Sequence, residues 1–222
     1  INGCLYAQEK KPKVALVLSG GGAKGIAHIP LLQALDSLGI VPDIVIGTSM
    51  GSIVGGFYSA GYTGDDIAVM ANNANWTELL GGDINLVDVS MEEKSEFKRH
   101  LVDFDIIEGK PKVSSGFLKD QKLREFISSY MYPVYNITDF DELPIPYRAM
   151  TTDIVNGKEV FLDKGSLGYA MRASMSIPGV FEPVPYGETL LVDGGVLNNF
   201  PVDRALEMGY DIVIGSDVGG GM

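Results

Sequence analysis

The 222-residue chain holds one cysteine, Cys4, and two histidines, His28 and His100. A single thiol excludes an internal disulfide framework and a cysteine-built metal site, and two histidines give no basis for a histidine-rich metal centre. Long apolar runs are missing as well. Val14–Leu18 and residues 44–46 are the only runs that invite a membrane check, and both fall far short of the ~20 residues a spanning helix needs. Positive charge is also scarce, with 17 Lys and Arg against 29 Asp and Glu, a net charge of −12. That balance opposes broad attraction to nucleic acid or to an anionic lipid surface, and no basic run carries interleaved aromatics.

What is present reads as one globular domain. Apolar residues make up 45% and charged residues 21%, ordinary for a chain of this length with a sizeable core. No repeat, low-complexity tract or Pro/Gly/Ser linker interrupts it. Residues 1–11 differ from the rest, and INGCLYAQEK reads as a leader remnant or a disordered N-terminus, leaving residues 12–222 as the domain. Leu5-Tyr6-Ala7 has the form of a signal-peptide end and Ile1-Asn2-Gly3-Cys4 that of a lipoprotein box, so the expectation is export to the periplasm, envelope or medium. A cytoplasmic location is the alternative.

Hydrophobic spacing places the elements. Val14–Leu18 reads as a buried strand, residues 24–38 as a helix stopped by Gly39, residues 43–47 as a second strand, and residues 50–60 as a small-residue helix. That alternation argues for parallel strands covered by helices. Further on, residues 104–113 read as a hairpin around Glu108-Gly109, and Gln121–Tyr130 as a helix. Residues 147–161 form a clearer hairpin, in which Asn156-Gly157 suits a type I′ turn. A helix over 167–175, a strand over 189–192, a helix over 202–208 and a strand over 211–216 complete the chain.

The chemistry begins at Gly47-Thr48-Ser49-Met50-Gly51, where strand meets helix. In that context G-x-S-x-G forms a nucleophile elbow: the tight turn tolerates only small neighbours and projects the serine above the sheet. The helix N-terminus there favours a developing anion. A glycine-rich turn with a serine N-cap is the plainer alternative. A serine nucleophile needs a base, yet after Gly51 the only histidine is His100. No histidine follows residue 100, which leaves the familiar Ser–Asp–His order without its usual late histidine; either the base is not histidine or the order is unusual. Asp193, closing the strand Leu190-Leu191-Val192 before Gly194-Gly195, offers one solution. If that strand runs parallel to residues 43–47, both side chains emerge at one carboxyl edge. A plain Asp-Gly turn is the competing reading.

The glycine cluster Gly20-Gly21-Gly22-Ala23-Lys24-Gly25 follows a strand and satisfies a dinucleotide-binding spacing. Such a fold wants an acidic group at the end of the second strand; Asp43 stands at its start, and Ser49 occupies the end instead. The Walker pattern fails too, because Gly25 follows Lys24. The same free amides can donate to the oxyanion of a tetrahedral intermediate. With a serine at the neighbouring strand end, that use is the more economical, and Lys24 would add positive potential.

Together GGGAKG, GTSMG and DGG, in that order, resemble the patatin-like phospholipase family. Residues 173–184, ASMSIPGVFEPV, look like the segment these proteins carry before the aspartate. The likeness runs from about Lys13 to Val218 and is thin between Trp76 and Tyr130. It implies an α/β fold, a three-layer α/β/α sandwich with a mainly parallel central sheet. It further implies a serine acyl hydrolase of phospholipids or other lipids that uses a serine–aspartate dyad, with no metal or cofactor. Carried over, Ser49 is the nucleophile and Asp193 its base, the backbone of Gly20, Gly21 and Gly22 forms the oxyanion hole, and Lys24, Gly47, Gly51 and Gly194 support the site. The partner implied is a lipid substrate, with peripheral contact to a membrane surface and none to nucleic acid. An acyltransferase, or a non-catalytic lipid-binding module of the same fold, is the alternative. His28-Ile29-Pro30 departs from the family's His-x-Gly, and His28 reads as a structural residue. Trp76, Leu79, Leu80, Phe104, Ile106, Ile107 and Phe117 read either as ordinary core, or as the lining of an acyl site or a lid.

Overall fold

The computed structural model describes residues 11–79, 105–107, 110–112 and 120–219. Strand β1 (Val14–Leu18) and strand β2 (Ile44–Thr48) are buried nearly throughout and pair in parallel. Their side chains alternate between two apolar layers, as the two-residue period of a strand requires. Leu16, Leu18 and Val45 face a large core, whereas Ala15, Val17, Ile44 and Ile46 face a smaller one.

The rest of the sheet grows from this pair. Strand β9 (Ile212–Ser216) adds in parallel beside β1, and β5 (Tyr147–Asp153) in parallel beside β2. Three antiparallel strands follow: β6 (Lys158–Leu162) and β8 (Thr189–Asp193) on β5, and β7 (Val184–Tyr186) on β8. The sandwich is thus parallel across β5, β2, β1 and β9 and antiparallel beyond. A separate two-stranded pair, β3 (Asp105–Ile107) and β4 (Lys110–Lys112), matches the hairpin expected over 104–113, whose turn Glu108-Gly109 lies outside the described residues.

Helices cover both faces. On the large-core side stand α1 (Ile29–Leu38), α2 (Met50–Ser59), α3 (Gly64–Asn73), the short α4 (Trp76–Leu79), α5 (Gln121–Tyr130) and α6 (Leu167–Ser174). On the other side α7 (Val202–Glu207) sends Ala205 into the small core. All ten residues of α2 are buried, and glycines let it lie against the sheet. A Cβ on Gly51 would stand 2.4 Å from the Leu18 carbonyl oxygen, and one on Gly47 would stand 2.5 Å from that of Gly51.

Three expectations need correction. The helix expected over 24–38 is divided, a 3₁₀ segment over Gly22–His28 giving way to α1 at Ile29. Pro30 lacks an N–H and its ring would clash with the carbonyl four residues back, so it suits only the first turn of α1. The Asn156-Gly157 turn is not type I′, because only Gly157 has positive φ, +64°. Asp153 instead caps a longer loop, accepting from the Val155 amide at 2.9 Å and the Asn156 amide at 3.0 Å. Finally, β8 is not parallel to β2: it pairs antiparallel with β5, which itself runs parallel to β2.

Candidate active site

That reversed strand brings Ser49 and Asp193 together by another route. The first half of β5 pairs with β2, ending at Thr48 opposite Met150; its second half pairs with β8, beginning at Thr151 opposite Asp193. Because β6 occupies the far edge of β5, β2 and β8 share the near edge and meet end to end. Ser49 follows Thr48 directly and so arrives at the junction from one side while Asp193 arrives from the other.

Ser49 has φ +54° and ψ −123°, and is the one non-glycine with positive φ among the described residues. This conformation disfavours any Cβ-bearing residue, and it is the strained elbow expected of GTSMG. Ser49 caps α2, whose first amides point towards it; its carbonyl accepts from Ser52 at 2.9 Å. Its own amide donates to Ser174 Oγ at 3.0 Å, and Ser174 Oγ donates to the Met150 carbonyl at 2.6 Å. The Ser174 hydroxyl thus bridges β2 and β5 where their ladder stops.

Asp193 is 6% exposed and Ser49 4%. Burial lifts the Asp193 carboxyl from 3.8 to about 6, against the opposing pull of hydrogen bonds from the Ser49 side chain and the Gly195 amide. The Gly195 amide donates to Oδ1 at 2.7 Å. The Asp193 amide donates to the Ser176 carbonyl at 2.9 Å. Gly194 must be glycine, since a Cβ would meet the Met150 carbonyl oxygen at 2.5 Å. A buried carboxylate with few donors has the proton affinity a base needs near neutral pH.

The glycine loop passes over the serine. A Cβ on Gly20 would stand 3.0 Å from Ser49 Cβ, so a side chain there would crowd the Ser49 hydroxymethyl group. Gly20 is also held at both ends of its peptide groups by Asn199: its amide donates to the Asn199 carbonyl at 3.2 Å, and Asn199 Nδ2 donates to its carbonyl at 3.0 Å. The Gly20 amide is therefore engaged, whereas those of Gly21 and Gly22 open the 3₁₀ segment, where the first N–H groups have no partner within the turn. Gly22 has φ +54°. Lys24 is exposed on this segment, its amide donating to the Gly21 carbonyl at 3.1 Å.

His28 does not take the place of the base. It is fully buried, with Nε2 donating to the Ser19 carbonyl at 2.9 Å and Nδ1 2.8 Å from Ser216 Oγ. Burial lowers its pKa, and it ties the ends of β1 and β9 together. His100 lies outside the described residues, as do Leu80, Phe104 and Phe117. Trp76 packs on Phe126, with centroids 6.3 Å apart, and Leu79 is buried. Beside the elbow an apolar cavity is lined by Ile26, Met50, Phe57, Met70, Trp76 and Phe126 among others. Among the described residues no cluster of three or more His, Cys, Asp or Glu is placed to hold a metal ion, and no helix is long and apolar enough to cross a membrane.

Spacing rules did not single out Ser174, Ser176, Asn199 or Arg172. The first two lie in ASMSIPGVFEPV, where two serines before a proline were the available signal. Asn199 sits four residues beyond Gly195, and only the folded chain carries it back to Gly20.

Comparison with known proteins gives the family. The sequence model of the patatin-like phospholipase family matches residues 16–206. An uncharacterised NTE family protein of Mycobacterium bovis is 33% identical over 209 residues, covering 94% of this chain and 50% of that protein. Lysophospholipase NTE1 of Debaryomyces hansenii is 30% identical over 215 residues, covering 93% of this chain and 12% of that protein. The chain therefore spans half or less of the length of these curated relatives. Among solved structures, VipD from Legionella pneumophila superposes with a TM-score of 0.59 at 18% identity, over 93% of this chain and 49% of that one, a likeness of fold.

Proposed function

The chain belongs to the patatin-like phospholipase family, and from that premise we propose that it is a serine acyl hydrolase acting on lipid esters through Ser49 and Asp193. The observation that carries the reading is the strained Ser49 at the head of α2, facing a buried carboxylate whose proton affinity is raised. The ionised Asp193 draws the hydroxyl proton as Ser49 Oγ attacks the ester carbonyl. The oxyanion forms beside the Gly21 and Gly22 amides and the N-terminus of α2, which bear partial positive charge where negative charge develops. Collapse breaks the ester C–O bond, and the proton on Asp193 passes to the departing alcohol. Water, activated in turn by Asp193, then releases the fatty acid and restores Ser49.

The lipid part of the reading draws on the family. With a net charge of −12, contact with a lipid surface would rest on apolar side chains rather than on a basic face. Export is the further proposal for residues 1–8, and cell fractionation of the natural protein tests it.

A fluorophosphonate probe should label Ser49, and Ser49→Ala should abolish both labelling and release of fatty acid from phospholipid and lysophospholipid. Full activity in that variant would refute the assignment. Assays with an added acceptor alcohol separate hydrolysis, which yields free acid, from acyl transfer, which yields a new ester.

A further inference from the structure

Both members of the pair hang from one short stretch of chain. Where α6 ends, Ser174 Oγ holds the Ser49 amide at 3.0 Å, and two residues later the Ser176 carbonyl holds the Asp193 amide at 2.9 Å. Any movement of residues 174–176 would shift nucleophile and base together or against each other.

The stretch is anchored from behind by Arg172, which is 3% exposed. Its Nη1 donates to Ser176 Oγ at 2.5 Å, Nη2 to the Glu182 carbonyl at 3.3 Å, and Nε to Asp120 Oδ2. The guanidinium carbon lies 5.0 Å from the centroid of the Phe181 ring. Burial lowers the Arg172 pKa, with Asp120 opposing. Burial raises that of Asp120, but Arg124 and Arg172 outweigh it and the carboxyl ends below its ordinary value.

A buried ion pair is seldom the most stable filling for a core, and an apolar side chain of similar volume serves as well or better. What a guanidinium adds is direction: a planar fork can face a carboxylate along one edge and a hydroxyl along another. Arg172 does not touch Asp193, whose proton affinity is set by burial, Ser49 and Gly195. Its influence on the reaction must therefore pass through the backbone it holds.

We propose that Arg172, neutralised by Asp120, is a positioning residue that fixes the separation of Ser49 and Asp193 through residues 174–176. The proposal rests on the assignment of those two side chains as the reacting pair.

The test compares wild type with Arg172→Lys, Ser176→Ala and Asp120→Asn, each checked for cooperative unfolding and an unchanged far-UV spectrum. A lysine keeps the charge near Asp120 but cannot also reach Ser176 and Glu182 in a fixed plane. Per folded molecule, fluorophosphonate labelling and kcat for a soluble nitrophenyl ester should fall about tenfold or more, as expected for a sub-ångström misplacement, with KM nearly unchanged. Loss of fold alone would lower the active fraction and leave the rate per folded molecule intact. If Arg172→Lys does not fold, Ser176→Ala decides, since it removes only the hydroxyl that Arg172 grips. Wild-type rates in folded Ser176→Ala overturn the proposal. Labelling that survives Ser49→Ala overturns the pair itself and this proposal with it.

Discussion

Replacing Asp193 by asparagine should make the protein more stable as it removes activity. The carboxyl is lifted from 3.8 in the unfolded chain to about 6 in the fold, chiefly by burial. Each tenfold change in proton affinity is about 1.4 kcal/mol, so the ionised group costs the fold about 3 kcal/mol. The sign follows from proton binding. Between about pH 4 and pH 6 the folded state holds more protons than the unfolded state, so the stability gained by protonation is full below pH 4 and lost as pH rises through 6. Asparagine has the same shape; its Oδ1 can still accept from the Gly195 amide, and its Nδ2 can donate to Ser49 Oγ. Urea unfolding at pH 8 should show Asp193→Asn more stable by up to about 3 kcal/mol, an increase in Tm of about 6–12 °C for a domain of this size. At pH 4 the two proteins should unfold alike. An Asp193→Asn protein no more stable than wild type at pH 8, or one whose advantage is the same at pH 4, would refute the reasoning that burial raises this carboxyl.

The same carboxyl must be ionised to act as a base, so wild-type kcat/KM for a soluble ester should climb with pH about a midpoint near 6; a flat profile from pH 5 to 8 would contradict the role. Ser49→Gly relieves the positive φ, and by thermal unfolding it should exceed Ser49→Ala by about 1 kcal/mol even after the entropy cost of glycine. In Gly51→Ala the new Cβ would press on the Leu18 and Ser19 carbonyls at 2.4 and 2.5 Å. We expect α2 to shift from β1, a loss of about 1–3 kcal/mol, and at least a tenfold drop in labelling of Ser49. His28→Gln should lower stability by about 1–3 kcal/mol through its broken ties to Ser19 and Ser216, and Ser49 should remain reactive to the probe; abolished labelling in folded protein would restore histidine as a candidate base.

Much of this site could be read from local pattern. VALVL and IVIGT are too short and too apolar to be surface helices, and Gly47 and Gly51 around Ser49 announce a turn that must approach its neighbours closely. The missing histidine downstream pointed away from a familiar triad before any fold was known. Direction was harder: the apolar run Leu190-Leu191-Val192 reports burial, which is the same whichever way a strand runs. Hence the condition of a parallel strand, under which Asp193 would share an edge with Ser49, was not met, and an antiparallel β8 brings the two together instead. Nor could spacing show that the Gly20 amide is engaged by the Asn199 carbonyl, because that contact joins residues far apart in the chain. The Arg172–Asp120 pair, 52 residues apart, was hidden for the same reason. A lone arginine reads as solvated surface until its burial is seen.

The end-to-end meeting of β2 and β8 on one edge of β5 makes catalysis a reporter of strand alignment. Were β8 to slide along β5 by a single residue, the carboxylate would travel about 3.3 Å and turn to the opposite face of the sheet. Such a misaligned chain could keep most of its backbone hydrogen bonds and much of its burial, and spectroscopy would count it as folded. It would have no carboxylate beside Ser49. Enzyme turnover during refolding would therefore lag behind the recovery of secondary structure by the time β8 takes to find its place, and the length of that lag measures the search.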